Sequence, residues 1–448
     1  MNPTICFVTT CKNRANHIKE CLPANLADNT DPNHKFILLD YNSQDDLIDY
    51  LKSNHQKDIN SGRLVVYSFK SHGPFRMAHA KNMAHRLGIL EGGNILVNLD
   101  ADNFTGKEFS TYIQEKFKQD NIFLWAKRII GQAHTRGTSG RIGVSSKSFI
   151  LAGGYDEKYN TWSPDDKDFN ARLCRLDFVP IEIDPKFLKA KVHNDNIRFS
   201  EYKHIDLDEQ EEESLRIGDS DHTIANFGRI GCGTVYKNFS NEPINIDPIP
   251  TRIFGIGMHK TATTSLNKAF KILGYHSAHW KSPQWARNIW DEIHKFGKSR
   301  TLEKYYALCD LPITLLYQSL DIAYPGSKFI LTIRDENQWL ESVKNHWDYD
   351  LNIYRESWDN DAFTHRVHSE LYGRKMFDVE IFIKRFRRHN DEVRNYFKNR
   401  PQDLLVLDID KKDKWGKLCP FLNVGILNIS YPEEFNTDKR VKFLAENI

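Results

Sequence analysis

Lys260 stands in the run Gly257-Met258-His259-Lys260-Thr261-Ala262-Thr263-Thr264-Ser265, directly after the apolar segment Ile253-Phe254-Gly255-Ile256. Leu266, Ala269, Phe270, Ile272 and Leu273 follow at helical spacing. Strand, tight loop and helix in that order make an anion cradle. Backbone N–H groups at a helix start face the ligand, the dipole favours negative charge, and the lysine adds a point charge. The loop lacks the G-K-[ST] ending of a nucleoside triphosphate loop, so another phosphorylated anion is expected. A second chemistry is written earlier. Asp100-Ala101-Asp102 follows the apolar run Ile95–Leu99. Two carboxylates at the mouth of a parallel sheet can hold a divalent metal that neutralises a diphosphate. The chain has seven D-x-D matches, starting at Asp100, Asp166, Asp206, Asp219, Asp348, Asp359 and Asp408, so the pattern alone selects nothing. Only Asp100 and Asp408 end a predicted strand, where α/β proteins bind ligands.

The elements that must position these residues read as α/β throughout. Ile5–Val8, Phe36–Leu39, Leu64–Tyr67 and Ile95–Leu99 are short apolar runs suited to buried parallel strands. Met77, Ala80, Ala84, Leu87 and Leu90 set an apolar helix face over 77–90. Strands at 253–256, 329–333 and 404–407, with helices between, repeat the class. At 448 residues the chain exceeds one core, so two domains are expected. Three prolines within 238–250 mark the seam, an extended connector placed at 241–250 between domains 1–240 and 251–448. The acidic run Asp206–Glu213 reads as a solvated helix start. Apolar content of 40%, charged content of 27% and a net charge of +2 suit a globular protein and argue against a nucleic-acid partner. Seven scattered cysteines form no disulfide or zinc framework, which points to a reducing compartment. No run reaches the ~18 apolar residues of a membrane span. A cytoplasmic enzyme, at most peripheral to a membrane, is the expectation.

Several segments in order carry a family resemblance in the first 200 residues. Val8-Thr9-Thr10-Cys11-Lys12-Asn13-Arg14 is similar to the first strand and nucleotide loop of glycosyltransferases of the A-type fold (GT-A), in particular inverting family 2 and galactosyltransferase-like enzymes. Leu38-Leu39-Asp40-Tyr41-Asn42 resembles their second strand, whose acid contacts the base. Ala80-Lys81-Asn82-Met83-Ala84, then Asn98 to Asn103, then Gly153-Gly154-Tyr155-Asp156-Glu157, and finally Trp162-Ser163-Pro164-Asp165-Asp166-Lys167-Asp168 with Arg172 continue the match. The resemblance implies an inverting transfer from a nucleotide sugar, a UDP-sugar first. Thr9, Asn13, Arg14 and Asp40 would bind the nucleotide. Asp100 and Asp102, with His193, would hold Mn2+ (or Mg2+), imidazole favouring manganese. Asp166 would be the base and Asp165 would position the acceptor. Ser163-Pro164 replaces the glycines usual in that block, which leaves the acceptor pocket open. The alternative for Asp165, Asp166 and Asp168 is a helix N-cap cluster.

The loop at 257–266 resembles the 5′-phosphosulfate loop of sulfotransferases that use PAPS (3′-phosphoadenosine 5′-phosphosulfate). Lys328-Phe329-Ile330-Leu331-Thr332-Ile333-Arg334, with Ser342 eight residues on, resembles their 3′-phosphate site, where a guanidinium fork and a hydroxyl clasp a dianion. Ala307–Pro312 and Asp403–Asp408 with Trp415, Leu418 and Cys419 extend the likeness. It implies a P-loop-like α/β sulfotransferase fold over 251–448. Lys260 would stabilise the bridging oxygen, and Thr261, Thr263, Thr264 and Ser265 would line the phosphate. The base is His279 or Asp310, and His259 is read as lining the loop.

Together these readings describe a bifunctional enzyme. It would move a sugar from a nucleotide donor and sulfate from PAPS onto a glycan acceptor, in one form lipid-linked, in polysaccharide or glycoconjugate synthesis. The rival readings are a catalytically silent nucleotide- or glycan-binding module, or a nucleotide kinase in the second half.

Overall fold

The computed structural model describes residues 3–70, 73–127, 137–159, 164–191, 212, 215–217, 220–347, 361–374 and 376–433. The chain forms two compact units, Met1–Ile249 and Pro250–Ile448. In the first, β1 (Ile5–Cys11), β2 (Lys35–Asp40), β3 (Leu64–Ser68) and β4 (Ile95–Asn98) pair in parallel in the order β3-β2-β1-β4. Ile5, Cys6, Phe7 and Val8 have no exposed surface, as a strand covered on both faces requires. Phe7 stacks on Phe36 across the β1–β2 pair, ring centroids 4.8 Å apart. The helix Ala15–Asp28 closes one face by burying Ala15, Ile18, Leu22 and Leu26. The helix Met77–Leu90 runs over the expected residues and buries Ala80, Ala84 and Leu87. Leu90, expected on that face, is 59% exposed, because the stripe ends one turn before the helix does.

The rest of this sheet is mixed. Strands β5 (Asn103–Phe104), β6 (Ile122–Trp125), β7 (Ile142–Ser145), β8 (Val179–Glu182), β9 (Lys189–Ala190), β10 (Gly233–Lys237) and β11 (Pro243–Ile246) complete the unit. Among the described residues the main sheet runs β11-β10-β3-β2-β1-β4-β7-β6-β8, and β5 pairs with β9 beside it. The strand β7 lies antiparallel to β4, so the residues entering β7 sit at the carboxyl end of β4. The proline-rich segment expected as a connector contributes β11, antiparallel to β10. Its alternation explains this: Ile244 and Ile246 turn inward while Pro243 and Asn245 face solvent. The acidic run 206–213 lies almost wholly outside the described residues.

The second unit is built on β12 (Ile253–Gly255), β13 (Ser277–Ala278), β14 (Ala307–Cys309), β15 (Lys328–Ile333) and β16 (Leu404–Asp408). All four pairings are parallel, in the order β13-β14-β12-β15-β16. Every strand therefore ends on the same edge of the sheet. Gly257 shows how closely the loop after β12 approaches β15: a Cβ there would meet Thr332 Oγ1 at 1.9 Å, so only glycine fits.

A buried ion pair within the first unit's helix Asp165–Arg175 orients the guanidinium that ties this helix to the end of the helix Ser146–Ala152. Arg172 Nε donates to Asp168 Oδ2 at 2.8 Å, and its Nη2 donates to the Gly154 carbonyl at 2.7 Å. Burial would raise the Asp168 pKa, but Arg172 and His222 hold it down at about 2. A depressed carboxyl contributes stability above its unfolded value of ~4 and loses it as pH falls towards the folded value. Arg172→Ala removes the larger of the two partners that compensate that buried carboxylate and leaves His222 alone against it. The expected cost is about 3–5 kcal/mol in urea unfolding at pH 7, shrinking below pH 4 as both states protonate. An equal loss at pH 7 and at pH 2 would contradict this account.

Candidate functional site

The carboxyl ends of β1 and β2 place the loops 12–14 and 41–45 side by side. Asp40, the last residue of β2, accepts the Ser43 N–H at 2.8 Å. The Asn13 N–H donates to Ser43 Oγ at 3.0 Å, and Asn13 Oδ1 accepts the Gln44 N–H at 2.7 Å. Asn13 and Asp40 thus clamp the two loops together, and Arg14 Nη1 donates to the Asn13 carbonyl at 3.1 Å. Burial raises the Asp40 pKa. Thr9 lines a small pocket at this edge with Leu38, Asp100 and Ala101, so the candidate nucleotide loop and the D-x-D meet.

Asp100 follows β4 and is joined there by residues from far along the chain. Asn98 Nδ2 donates to Asp100 Oδ1 at 3.2 Å and to the Gly140 carbonyl at 2.9 Å. A Cβ on Gly140 would lie 2.8 Å from Asp100 Oδ2 and 3.2 Å from Asp166 Oδ2. The two carboxylates therefore converge on one glycine. Lys81 Nζ contacts Asp165 Oδ2 at 2.9 Å and Asp166 Oδ1 at 2.6 Å. Burial raises the pKa of Asp100, Asp165 and Asp166, and the Lys81 charge offsets part of that rise. Burial opposes the Lys81 charge in turn, but Asp165 and Asp166 outweigh it and hold the ammonium protonated. A divalent cation fits such a donor set, in which converging carboxylates exceed the local positive charge. Asp102 accepts from Asn103 Nδ2 at 2.8 Å. The Lys191 N–H donates to the Asp102 carbonyl at 2.8 Å, which ties β9 beside the D-x-D. His193, expected as the third ligand, lies outside the described residues. Asp165 and Asp166 occupy the first turn of their helix, after Pro164, and that helix has no side-chain cap. Both carboxylates reach Lys81.

In the second unit the loop leaving β12 reaches the helix Thr263–Ile272 with Lys260 at φ 69° and Ala262 at φ 61°. The helix start has no side-chain cap, which leaves its first-turn amides to an anion. Thr261 Oγ1 pairs with Thr332 Oγ1 at 2.6 Å and donates to the Met258 carbonyl, so it anchors the loop rather than facing outward. Thr263 is 4% exposed and Ser265 likewise. His279 follows β13, and its Nε2 lies 3.0 Å from Thr263 Oγ1 and 3.5 Å from Thr264 Oγ1. Asp310 follows β14, and its Oδ2 lies 3.2 Å from the same His279 Nε2. The two alternatives for the base are thus one pair. Asp310 Oδ1 is buried without a hydrogen-bond partner, and Asp310 holds φ 75°, a left-handed conformation that costs ~1–2 kcal/mol outside glycine.

Arg334 follows β15. Its Nη1 donates to the Lys260 carbonyl at 3.3 Å, and its Nη2 donates to Gln338 Oε1 at 3.2 Å. Its Nε is buried with no hydrogen-bond partner, as a guanidinium poised for an anion would be. Ser342 is half-buried in the second turn of the helix Glu336–Trp347. Asp408, the other D-x-D at a strand end, is used differently. It accepts the Asp410 N–H at 3.0 Å, while Asp410 accepts the Asp335 N–H at 2.7 Å. One carboxylate thus shapes the turn after β16, and the other fixes the backbone directly after Arg334.

Three residues escaped the sequence reading. Lys81 was visible only as a lysine within Ala80–Ala84; its position in the wholly buried run Ala78–His85 is the signal. Gly140 carried none. Arg141 is fully buried and spans β5, donating from Nη2 to Asn103 Oδ1 and to the Phe104 carbonyl, both at 3.0 Å. Its burial lowers its pKa to about 10.

Residues 252–440 match the family described as the sulfotransferase domain. The chain is similar to the Ava biosynthesis cluster protein M of Aspergillus versicolor, with 24% identity over 222 residues that cover 43% of this chain and 83% of that protein. Among solved structures it is similar to the mannosyltransferase PcManGT from Pyrobaculum calidifontis in complex with GDP-Man and Mn2+, at 15% identity and a TM-score of 0.34. That match covers 42% of this chain and 56% of the mannosyltransferase, so this chain spans little more than half of that protein's length. It is also similar to S. aureus TarS 1–349 in complex with UDP, at 11% identity over 88% of this chain and 92% of that one, with a TM-score of 0.34. The catalytic domain of Drosophila beta1,4galactosyltransferase 7 in complex with xylobiose matches at 12% identity over 48% of this chain and 79% of that one, again at a TM-score of 0.34. At that level of superposition the three likenesses carry no weight, and the first unit rests on its own geometry.

Lys81 supplies the positive charge facing Asp165 and Asp166. Lys81→Met is expected to cost about 3–5 kcal/mol in chemical denaturation. Unchanged stability would remove Lys81 as that counter-charge.

Proposed function

We propose, from a C-terminal unit that is a sulfotransferase domain at 252–440, that this unit moves a sulfuryl group from PAPS to a hydroxyl acceptor. The observation that carries this reading is His279 Nε2, 3.0 Å from Thr263 at the anion loop and 3.2 Å from Asp310. The acceptor oxygen bonds to sulfur as the bond from sulfur to the bridging phosphate oxygen breaks. With its resting proton on Nδ1, His279 takes the acceptor proton at Nε2, and Asp310 Oδ2, 3.2 Å from that same nitrogen, stabilises the resulting imidazolium. Thr263 releases His279 and turns its hydroxyl to the phosphate. Lys260 and the uncapped helix amides take up charge on the 3′,5′-diphosphate that leaves. Arg334 and Ser342 grip its 3′-phosphate.

The first unit, in the same reading, is an inverting glycosyltransferase. Asp100 and Asp102 would hold Mn2+ or Mg2+, which supplies neutralisation of the nucleoside diphosphate. Asp40, Asn13, Arg14 and Thr9 bind a UDP-sugar. Asp166 takes the acceptor proton and Asp165, on the same lysine, orients the acceptor. The convergence of Asp100 and Asp166 at Gly140 supports this assignment. A glycan that is glycosylated and then sulfated would explain the fusion, since tethered sites raise effective concentration. Five of the seven cysteines are buried and all seven are unpaired, in keeping with a reducing compartment such as the cytoplasm. Among the described residues no helix is long and apolar enough to cross a membrane.

Calorimetric titration with 3′,5′-ADP, beside ATP, tests the sulfuryl-transfer reading. Micromolar binding of 3′,5′-ADP is expected, weakened about 10- to 100-fold by Arg334→Ala, the scale of a lost charged hydrogen bond. Preference for ATP would overturn it. Once an acceptor is found, His279→Ala is expected to lower kcat by about 100-fold or more, with 3′,5′-ADP affinity kept.

A further inference from the structure

His259, His346 and His368 come from three separate elements of the second unit: the anion loop, the helix Glu336–Trp347 and the helix Ala362–Tyr372. One ring nitrogen from each lies within 4.8 Å of the other two. The His259 and His346 rings meet edge to face with centroids 4.3 Å apart, and the His259 and His368 rings lie 5.8 Å apart, nearly parallel. His259 Nδ1 is buried with no hydrogen-bond partner. Leaving such an acceptor dry costs ~1–3 kcal/mol unless something occupies it. The backbone here is fixed. Trp339 Nε1 donates to the His259 carbonyl at 3.0 Å, and Trp339 is fully buried against Phe386 with ring centroids 4.3 Å apart. Trp347 packs edge-on against His368 at 5.4 Å and against Tyr372 at 4.7 Å, an aromatic wall along one side of the cluster. The Tyr372 hydroxyl, one turn beyond His368, is buried and likewise without a hydrogen-bond partner.

Three imidazoles from three elements, in an apolar setting, match the ligand set of a borderline transition metal. Magnesium, calcium and manganese prefer oxygen donors; zinc, copper and nickel take imidazole. Zinc binds His nitrogen at ~2.0–2.1 Å, which places ligand nitrogens ~3.3 Å apart in a tetrahedron. Side-chain rotations that bring each nitrogen inward by about 1 Å would close the present spacing to that value.

We propose that His259, His346 and His368 form a three-histidine site for a zinc-class divalent ion, with a fourth position for water or an anion. The ion staples the loop residue next to Lys260 to two helices and sets a fixed positive charge beside the anion cradle. This site is distinct from the D-x-D carboxylates of the first unit, and it stands whether or not PAPS is the donor.

The experiment is Co2+ titration of the chelator-stripped full-length protein, read by visible absorption. An imidazole-rich tetrahedral site gives intense d–d bands, whereas Co2+ on aspartate oxygens in the first unit gives weak octahedral ones. The expected result is an intense spectrum that saturates at about one equivalent and is lost in His346→Ala and in His368→Ala. X-ray absorption on the wild-type protein loaded with Zn2+ needs no variant and guards against misfolding: a shell of imidazole nitrogens is expected. An oxygen-only shell, or intense bands that survive both substitutions, would overturn the site.

Discussion

Parallel strand pairing is the constraint on which both candidate sites depend. When neighbouring strands run the same way, all their carboxyl ends, and the loops that leave them, fall along one edge. In the second unit this single fact assembles the site. The anion loop follows β12, His279 follows β13, Asp310 follows β14 and Arg334 follows β15. Residues 16 to 74 positions apart need no further device to meet. In the first unit the parallel core delivers Asn13, Asp40 and Asp100, and the antiparallel β7 brings in Gly140 at the same edge.

Charge is the second constraint. Concentrating Asp100, Asp165 and Asp166 in a largely enclosed space, with Asp165 buried, is costly without compensation. Lys81 lowers that cost by standing against two of the three. The same lysine leaves the pair Asp100 and Asp166 facing each other across Gly140, an arrangement suited to a cation. The second unit answers the opposite problem. Its helix start and Lys260 are positive, and Asp310 meets the loop at His279 Nε2, the same nitrogen that touches the Thr263 hydroxyl.

Local geometry does the remaining work. Gly257 lets the loop press against Thr332, and the Thr261–Thr332 hydroxyl pair locks it there. Asp408 and Asp410, which pattern alone makes candidates for a metal, instead accept backbone N–H groups in the turn after β16 and directly after Arg334. The distinction between a ligand and a turn-former lies in where the carboxylate points, and a motif does not encode that.

Element class and position were legible in the chain itself. Continuous apolar runs of four or five residues have the length of strands covered on both faces, and the 77–90 helix follows from apolar spacing, because these signals are local in sequence. The anion loop was legible for the same reason, since strand, loop and helix are contiguous. So was the candidacy of His279 and Asp310, though not their pairing. Tertiary structure alone decided that these two are 3.2 Å apart, that Lys81 is a buried counter-ion, that two carboxylates converge beside Gly140 and that three histidines cluster. Each of these depends on strand order and side-chain direction, quantities set by packing between segments distant in sequence, which no local pattern contains.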